Sequence, residues 1–458
     1  MGNKRIGIVG GLIVDPANKV YSKMNLVLEA GKVLAVTAKP LEEYACERII
    51  DATGKIVAPG FIDMHMHEDP VDAVTGKLED GIATCMLRMG VTTAVGGNCG
   101  INVLPPTEYF RQLDAEGAPV NIALLAGHTC ARKEAGCRDK YAHITEEELA
   151  RVKAVLKEYL DAGCLGISYG IRYVPGIDER ELFGTAELCQ ADSLLIAAHV
   201  RDDAAYIFGA VRELLDAGQR WQLPVQVSHI GSMGGFGQME QLLAMVDEYK
   251  ANGLDVVCDC YPYYAFSTRI GETTYDDGFL ERYNAGYDCV EVCEGKYTGQ
   301  RCTKEIFDEL RANAPRTITV AHVMKQEDVD MALLHPNVLL VTDGLLDQGQ
   351  GHPRAAGSFP RFLAHYVRTG KISLYDAVAK MTTLQAERLG LGNKGRLNVG
   401  ADADVVIFDL STVQDRATFA EPTLAPEGIE YVLIGGEVAL ENGKLVNNRL
   451  GKAIKRSR

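Results

Sequence analysis

Pro59-Gly60-Phe61-Ile62-Asp63-Met64-His65-Met66-His67 is the stretch on which the reading of this chain turns. A short apolar run closes in two histidines spaced two apart. Residues i and i+2 share one face of an extended strand, so both rings can grip one ion. A lone His-x-His is weak, but other apolar runs end alike. Strand-like segments lie at 62–67, 92–95, 121–126, 165–168, 194–199, 225–229, 256–260 and 338–343, and His199, His229 and Asp343 close three of them. The chain has only 10 histidines, so four of them at strand ends beside an aspartate are hard to explain by packing.

Eight such runs, with helical periodicity between several of them (146–162, 206–217, 239–249), fit an α/β fold of the (β/α)8 barrel type. In that architecture the reactive groups sit where strands end, which is where these residues are. A ninth run, 317–322, either replaces one of the eight or belongs to an insertion, and the irregular stretch before it suggests a lid or insertion near 271–316. Both ends of the chain differ from the middle. Short β runs at 5–14, 24–29, 32–36 and 48–50 are echoed by runs at 403–409, 429–434, 438–441 and 444–446, with hairpin-type turns at Gly435-Gly436 and Asn442-Gly443. The expected organisation is a small β-sandwich from residues 1–56 plus 396–458 around a barrel of residues 57–395.

Composition narrows the function. The 458 residues are 47% apolar and 24% charged, and 47 Lys and Arg stand against 62 Asp and Glu for a formal charge of −15. No basic block tracks a phosphate backbone, so nucleic acid is not an expected partner. No run reaches the ~18 apolar residues of a membrane span, and residues 1–10 have no signal-peptide core. Twelve cysteines without a Cys-x-x-Cys pair do not read as a disulfide framework. The expectation is a cytoplasmic protein with reduced thiols.

Neutral imidazoles suit a borderline divalent ion such as Zn2+, which lowers the pKa of a bound water to roughly 7. A nearby carboxylate such as Asp343 then accepts the remaining proton and hands it to a leaving group.

The 59–67 stretch resembles the first-strand signature of the amidohydrolase superfamily, and Gly400-Ala401-Asp402-Ala403-Asp404-Val405-Val406 resembles that superfamily's return into its β-sandwich. More narrowly, the chain is similar to the N-acyl-D-amino-acid deacylase (D-aminoacylase) family. The similarity lies in Gly97-Asn98-Cys99-Gly100, Ser168-Tyr169-Gly170-Ile171-Arg172-Tyr173-Val174-Pro175-Gly176, Tyr261-Pro262-Tyr263 and His352-Pro353-Arg354-Ala355-Ala356-Gly357-Ser358-Phe359-Pro360-Arg361. These matches run in order from about residue 55 to 410.

The resemblance implies hydrolysis of a linear amide, with one or two Zn2+ ions per chain or other divalent transition metals in their place. Many superfamily members bridge two metals with a carboxylated lysine on the fourth strand, but residues 164–171 contain no lysine. A thiolate then has to substitute. The implied ligands are Cys99, His199 and His229 for one ion, with His65 and His67 helping to bind a second. Asp343 is the implied proton shuttle. Arg354 suits bidentate capture of a substrate carboxylate, Tyr263 is implied to polarise the scissile carbonyl or touch that carboxylate, and Ser267 is a nearby polar candidate. His128 reads as structural support, and His322 has no assigned role.

Members that favour acidic side chains tend to place a lysine soon after the sixth-strand histidine. Here Ile230-Gly231-Ser232-Met233-Gly234-Gly235 follows His229, which argues against that preference and suggests a mobile loop. Phe266 narrows the expected pocket. The expected partner is a small molecule bearing an amide and a carboxylate. One alternative is a cyclic-amide hydrolase of the hydantoinase, dihydroorotase or lactamase kind; another is a barrel retained as a non-catalytic scaffold. Neither oligomeric state nor acyl group has a signature in the chain.

Overall fold

A computed structural model describes residues 5–456. Two parallel sheets carry the middle of the chain. The smaller is ordered Asn121–Leu124, Val91–Gly96, Phe61–Asp63. The larger has six strands, ordered Ala126–Gly127, Gly166–Gly170, Leu195–His199, Val225–Val227, Val256–Cys260, Val338–Leu340. Only Leu125 separates Asn121–Leu124 from Ala126–Gly127, and the Leu165 N–H donates to the Leu124 carbonyl at 2.8 Å. At the other edge Met66 bridges Gly344 in parallel, the His67 N–H donates to the Gly344 carbonyl at 3.0 Å, and the Asp343 N–H donates to the His65 carbonyl at 2.8 Å.

These strands are nearly uninterrupted apolar runs because both faces are covered. Helices supply one cover. Glu146–Asp161 starts on a capping box: Thr145 Oγ1 accepts from the Glu148 N–H at 3.2 Å while the Glu148 carboxylate accepts from the Thr145 N–H at 2.8 Å. Such a cap is worth about 1 kcal/mol. Leu149, Val152, Leu156, Tyr159 and Leu160 bury one face of that helix. Ile207–Trp221 and Met239–Ala251 do the same with Leu214, Leu215, Leu242 and Val246.

The ninth run is part of neither parallel sheet. Ile318–Ala321 pairs antiparallel with both Phe266–Arg269 and Val290–Val292 in a separate sheet of three strands. The termini build two further sheets, one of four strands and one of seven. In the latter, Val405–Phe408 from the C-terminal part runs antiparallel to Ile56–Pro59, which is parallel to Leu12–Asp15. Ile8, Ile13, Leu26, Val57, Val405 and Leu433 share one buried cluster there. The run 5–14 is two strands rather than one, broken at Gly10, whose φ of +75° favours glycine and where a Cβ would meet Thr53 Oγ1 at 2.4 Å. The edge strand Val20–Lys23, mostly exposed, carries too little apolar pattern to be read from sequence. Among the described residues no helix is long and apolar enough to cross a membrane.

Candidate active site

Strand ends bring six side chains together. His65 and His67 follow Phe61–Asp63, Cys99 lies in the turn after Val91–Gly96, His199 closes Leu195–His199, His229 follows Val225–Val227 and Asp343 follows Val338–Leu340. In three sets, His65–His67–Cys99, Cys99–His199–His229 and His65–His229–Asp343, the donor atoms all lie within 4.8 Å of one another. Cys99 Sγ is 3.5 Å from His229 Nε2 and 3.6 Å from His65 Nε2.

The backbone is bent to achieve this. Cys99, His229 and Asp343 have φ of 52°, 34° and 49°, left-handed conformations that non-glycine residues seldom adopt. Each is held by neighbours. Asn98 Nδ2 donates to the Met64 and Val95 carbonyls at 3.2 and 2.9 Å, and the Ser168 hydroxyl donates to the Gly97 carbonyl and accepts from the Gly100 N–H. Gly97 has no alternative, since a Cβ there would lie 2.0 Å from the Leu125 carbonyl oxygen. The His229 N–H donates to Asp259 Oδ1 at 2.5 Å.

The same Asp259 carboxylate lies 3.2 Å from His65 Nδ1 and accepts from Gln226 Nε2 at 2.7 Å. Ser232 Oγ is 3.0 Å from His229 Nδ1. Both rings therefore have Nδ1 committed to a partner and present Nε2 to Cys99, the orientation seen where a histidine ligates through one nitrogen and is steered through the other. His199 Nδ1 is buried without a hydrogen-bond partner. A thiolate, imidazoles and a carboxylate with their outer nitrogens anchored fit a divalent transition metal.

Electrostatics favours the ligating forms of Cys99, His199 and Asp343. At His65 and His67 burial is outweighed, by Asp259 and Cys99 in the first and by Asp343 and Cys99 in the second, so His65 is held well above its ordinary value and His67 is raised to about 9. Burial pushes the Cys99 thiol up, but the charges of His229 and His65 and hydrogen bonds from His199 and His229 hold it well below its ordinary value. Burial, aided by His229, lowers His199 to about 4, which keeps it neutral. Asp343 is buried, yet Arg354 and His229 keep its carboxyl well below the usual range. Its Oδ2 is 2.9 Å from Arg354 Nη1 and its Oδ1 is 3.2 Å from His67 Nε2.

A cavity of 620 Å³ opens over this cluster, lined by His67, Cys99, His199, His229, Asp343 and Arg354 together with Ser267 and Phe266. Ser267 reaches it from the antiparallel sheet of three strands, its hydroxyl donating to the Thr319 carbonyl at 2.9 Å.

Tyr263 does not line the cavity. After Cys260 the chain leaves the strand through a tight turn in which the Tyr263 N–H donates to the Tyr261 carbonyl at 3.0 Å, so the alternation of a strand no longer holds. Tyr263 packs edge-on to His352 at 5.1 Å and under Arg361 at 4.8 Å. The tyrosine beside Arg354 is Tyr261, whose ring lies 4.5 Å from the guanidinium and whose hydroxyl is buried without a partner. His128 is buried against Glu181 and Tyr169, away from the cluster, and His322 pairs with Glu291 at 3.0 Å.

Sequence reading missed Asp259 and Tyr173. Asp259 is a charged residue inside the apolar run Val256–Cys260, and that anomaly was its signal. Tyr173, in the Ser168–Gly176 motif, lies 4.6 Å from the His199 ring and lines the cavity.

Comparison with known proteins agrees with this geometry. The chain is 33% identical to the N-acyl-D-glutamate deacylase of Alcaligenes xylosoxydans xylosoxydans across 94% of this chain and 92% of that protein. It is 30% identical to the D-aminoacylase of the same organism across 98% and 97%. A crystal structure of N-acyl-D-glutamate deacylase from Bordetella bronchiseptica, complexed with zinc and a phosphonate inhibitor that mimics the tetrahedral intermediate, superposes with a TM-score of 0.87 at 31% identity, covering 98% of this chain and 99% of that one. Residues 48–440 match the amidohydrolase family model, and the chain belongs to that family.

Proposed function

We propose that this amidohydrolase deacylates N-acyl-D-amino acids, hydrolysing a linear amide to a carboxylate and a free D-amino acid. The carrying observation is near-full-length similarity to two such deacylases, at 33% and 30% identity, in a chain whose Cys99, His199 and His229 converge. Cys99, His199 and His229 would hold one divalent ion, with His65 and His67 toward a second, and Zn2+ suits the donor set. Such an ion supplies Lewis acidity and an acidified water at neutral pH. Asp343 takes the proton of the attacking water and delivers it to the amine nitrogen as the C–N bond breaks. Arg354 and Ser267 orient the substrate carboxylate, and Tyr261 supports Arg354, its ring 4.5 Å from the guanidinium.

The parallel sheets are read as one eight-stranded barrel. Continuity through Leu125 and the Met66–Gly344 bridge support closure. The two terminal sheets are read as a β-sandwich domain of residues 1–56 and 396–458 around a barrel of residues 57–395, with the antiparallel sheet of three strands as its insertion. A reducing, cytoplasmic setting suits a working thiolate. The cyclic-amide reading is weaker, since Gly166–Gly170 has no lysine to bridge two metals.

The test is a panel of N-acetyl-D- and N-acetyl-L-amino acids with Zn2+-loaded protein, beside hydantoin and dihydroorotate. Release of D-amino acids is the expected result. No turnover across neutral, apolar and acidic D-substrates overturns the assignment.

A further inference from the structure

The cavity floor is buried and its charges are matched; its mouth is not. Lys133, Arg138, Lys140, Arg269 and Arg316 all line the cavity. Among the described residues none of the five makes an ion pair or a side-chain hydrogen bond, although Lys140 sits 5.4 Å from the Tyr141 ring.

Arg269 is the telling member. It closes the strand Phe266–Arg269, its backbone fixed by register with Ile318, and Arg311 Nη1 donates to the next carbonyl, Ile270, at 3.0 Å. Its Nε is buried without a hydrogen-bond partner. Other buried arginine Nε atoms also lack a partner, but of the two such arginines that line the cavity Arg354 is paired with Asp343 and Arg269 with no carboxylate. The acids on the same wall do not supply one. Asp203 is held by Arg282 at 2.9 Å and Tyr283 at 2.5 Å, and Glu68 accepts from Asn102 at 3.1 Å. Glu294, which feels Arg269 and Arg316 at longer range, already accepts from the Ile318 N–H at 2.8 Å. Glu68, Glu272 and Asp347 remain without a cation of their own, three carboxylates against five cations. Arg354 on the floor, by contrast, is matched by Asp343.

We propose that the cavity mouth is a distal anion subsite, centred on Arg269, that takes a second carboxylate of a dianionic substrate besides the one oriented on the floor. The proposal rests on the deacylase reading. A planar guanidinium binds a carboxylate through paired hydrogen bonds, and the surrounding cations focus the field that draws such a substrate in. Arg269 lies in the antiparallel sheet of three strands, Arg316 just before that sheet's strand Ile318–Ala321 and the others in the 133–140 segment, not at the position after His229 where the resemblance places a lysine. The second carboxylate has two sources, the amino-acid side chain or the acyl arm.

The experiment compares kcat/KM for isosteric pairs on Zn2+-loaded protein. N-acetyl-D-glutamate against N-acetyl-D-glutamine reports the side chain; N-succinyl-D-alanine against its terminal amide reports the acyl arm. The expected result is a preference for the dianion of about tenfold or more in one pair, the scale of one charge-assisted hydrogen bond. Arg269→Gln should bring that ratio near unity, and Arg269→Lys should retain part of it. A ratio near one in the unaltered enzyme for both pairs overturns the subsite, as does a ratio that Arg269→Gln leaves intact. Calorimetric binding of glutarate against its monoamide decides the subsite without turnover. Selective glutarate binding lost in Arg269→Gln upholds it even if every deacylation assay fails, and equal binding of both probes overturns it.

Discussion

Asp343 and Arg354 form a buried ion pair, Oδ2 to Nη1 at 2.9 Å, at the floor of the cavity. The pair holds the carboxylate ionised, ready to accept a proton, and fixes where the guanidinium points. Asp343→Asn keeps the shape and removes the proton acceptor. Turnover is expected to fall by about 10²- to 10⁴-fold while metal content stays. Metal analysis and steady-state rates check this, and a near-native rate rejects the role.

Cys99 is the one cysteine of the cluster. Cys99→Ala should lose bound metal before it loses the fold. Mass spectrometry of metal content is expected to show at least one ion gone, with the circular dichroism spectrum unchanged. Full metal retention would remove the thiolate from the ligand set.

Asp259 touches no cavity but grips two site residues, His65 through Nδ1 and His229 through its backbone N–H. Asp259→Asn should weaken metal binding about 10- to 100-fold, as outer partners of ligating histidines typically do. Competition with a chelator measures it. Turnover should recover substantially at saturating metal.

Lys380 gives a pH dependence away from the metals. Its ammonium donates to the His335 and Val338 carbonyls at 2.5 Å each, pinning the start of the strand that leads to Asp343. Burial lowers its pKa from 10.5 to about 8. Between those values the unfolded chain binds the extra proton, so stability is highest above 10.5 and is lost as pH falls through about 8. The span corresponds to about 3 kcal/mol. Lys380→Met removes that dependence. The unfolding midpoint of the unaltered protein should rise relative to the variant from pH 7.5 to pH 10.5; a constant difference contradicts the assignment.

The convergence of His65, His199, His229 and Asp343 was legible because strand ends are chemical positions in this architecture; His199 closes its strand, and the others lie two or three residues beyond theirs. Three things were not. The segment 317–322 has the apolar density of a buried strand, and only its antiparallel partners set it apart from the parallel strands. The role of Tyr263 came only from the resemblance, and where its ring packs depends on a turn after Cys260 set by one backbone hydrogen bond, which the sequence does not display. Asp259 was hidden by the habit of inspecting only strand ends. It acts from mid-strand, one layer below the cluster.

Cys99, His229 and Asp343 all stand in left-handed backbone, which glycine occupies with less strain. Relief of backbone strain alone would therefore favour glycine at all three, and chemistry opposes it, joined at Asp343 by the buried Arg354 guanidinium that needs its carboxylate. These positions become a lineage marker. A descendant that kept the architecture and abandoned catalysis should show glycine there early, before the surrounding strands drift, whereas a chain carrying all three side chains is one in which function is still being selected.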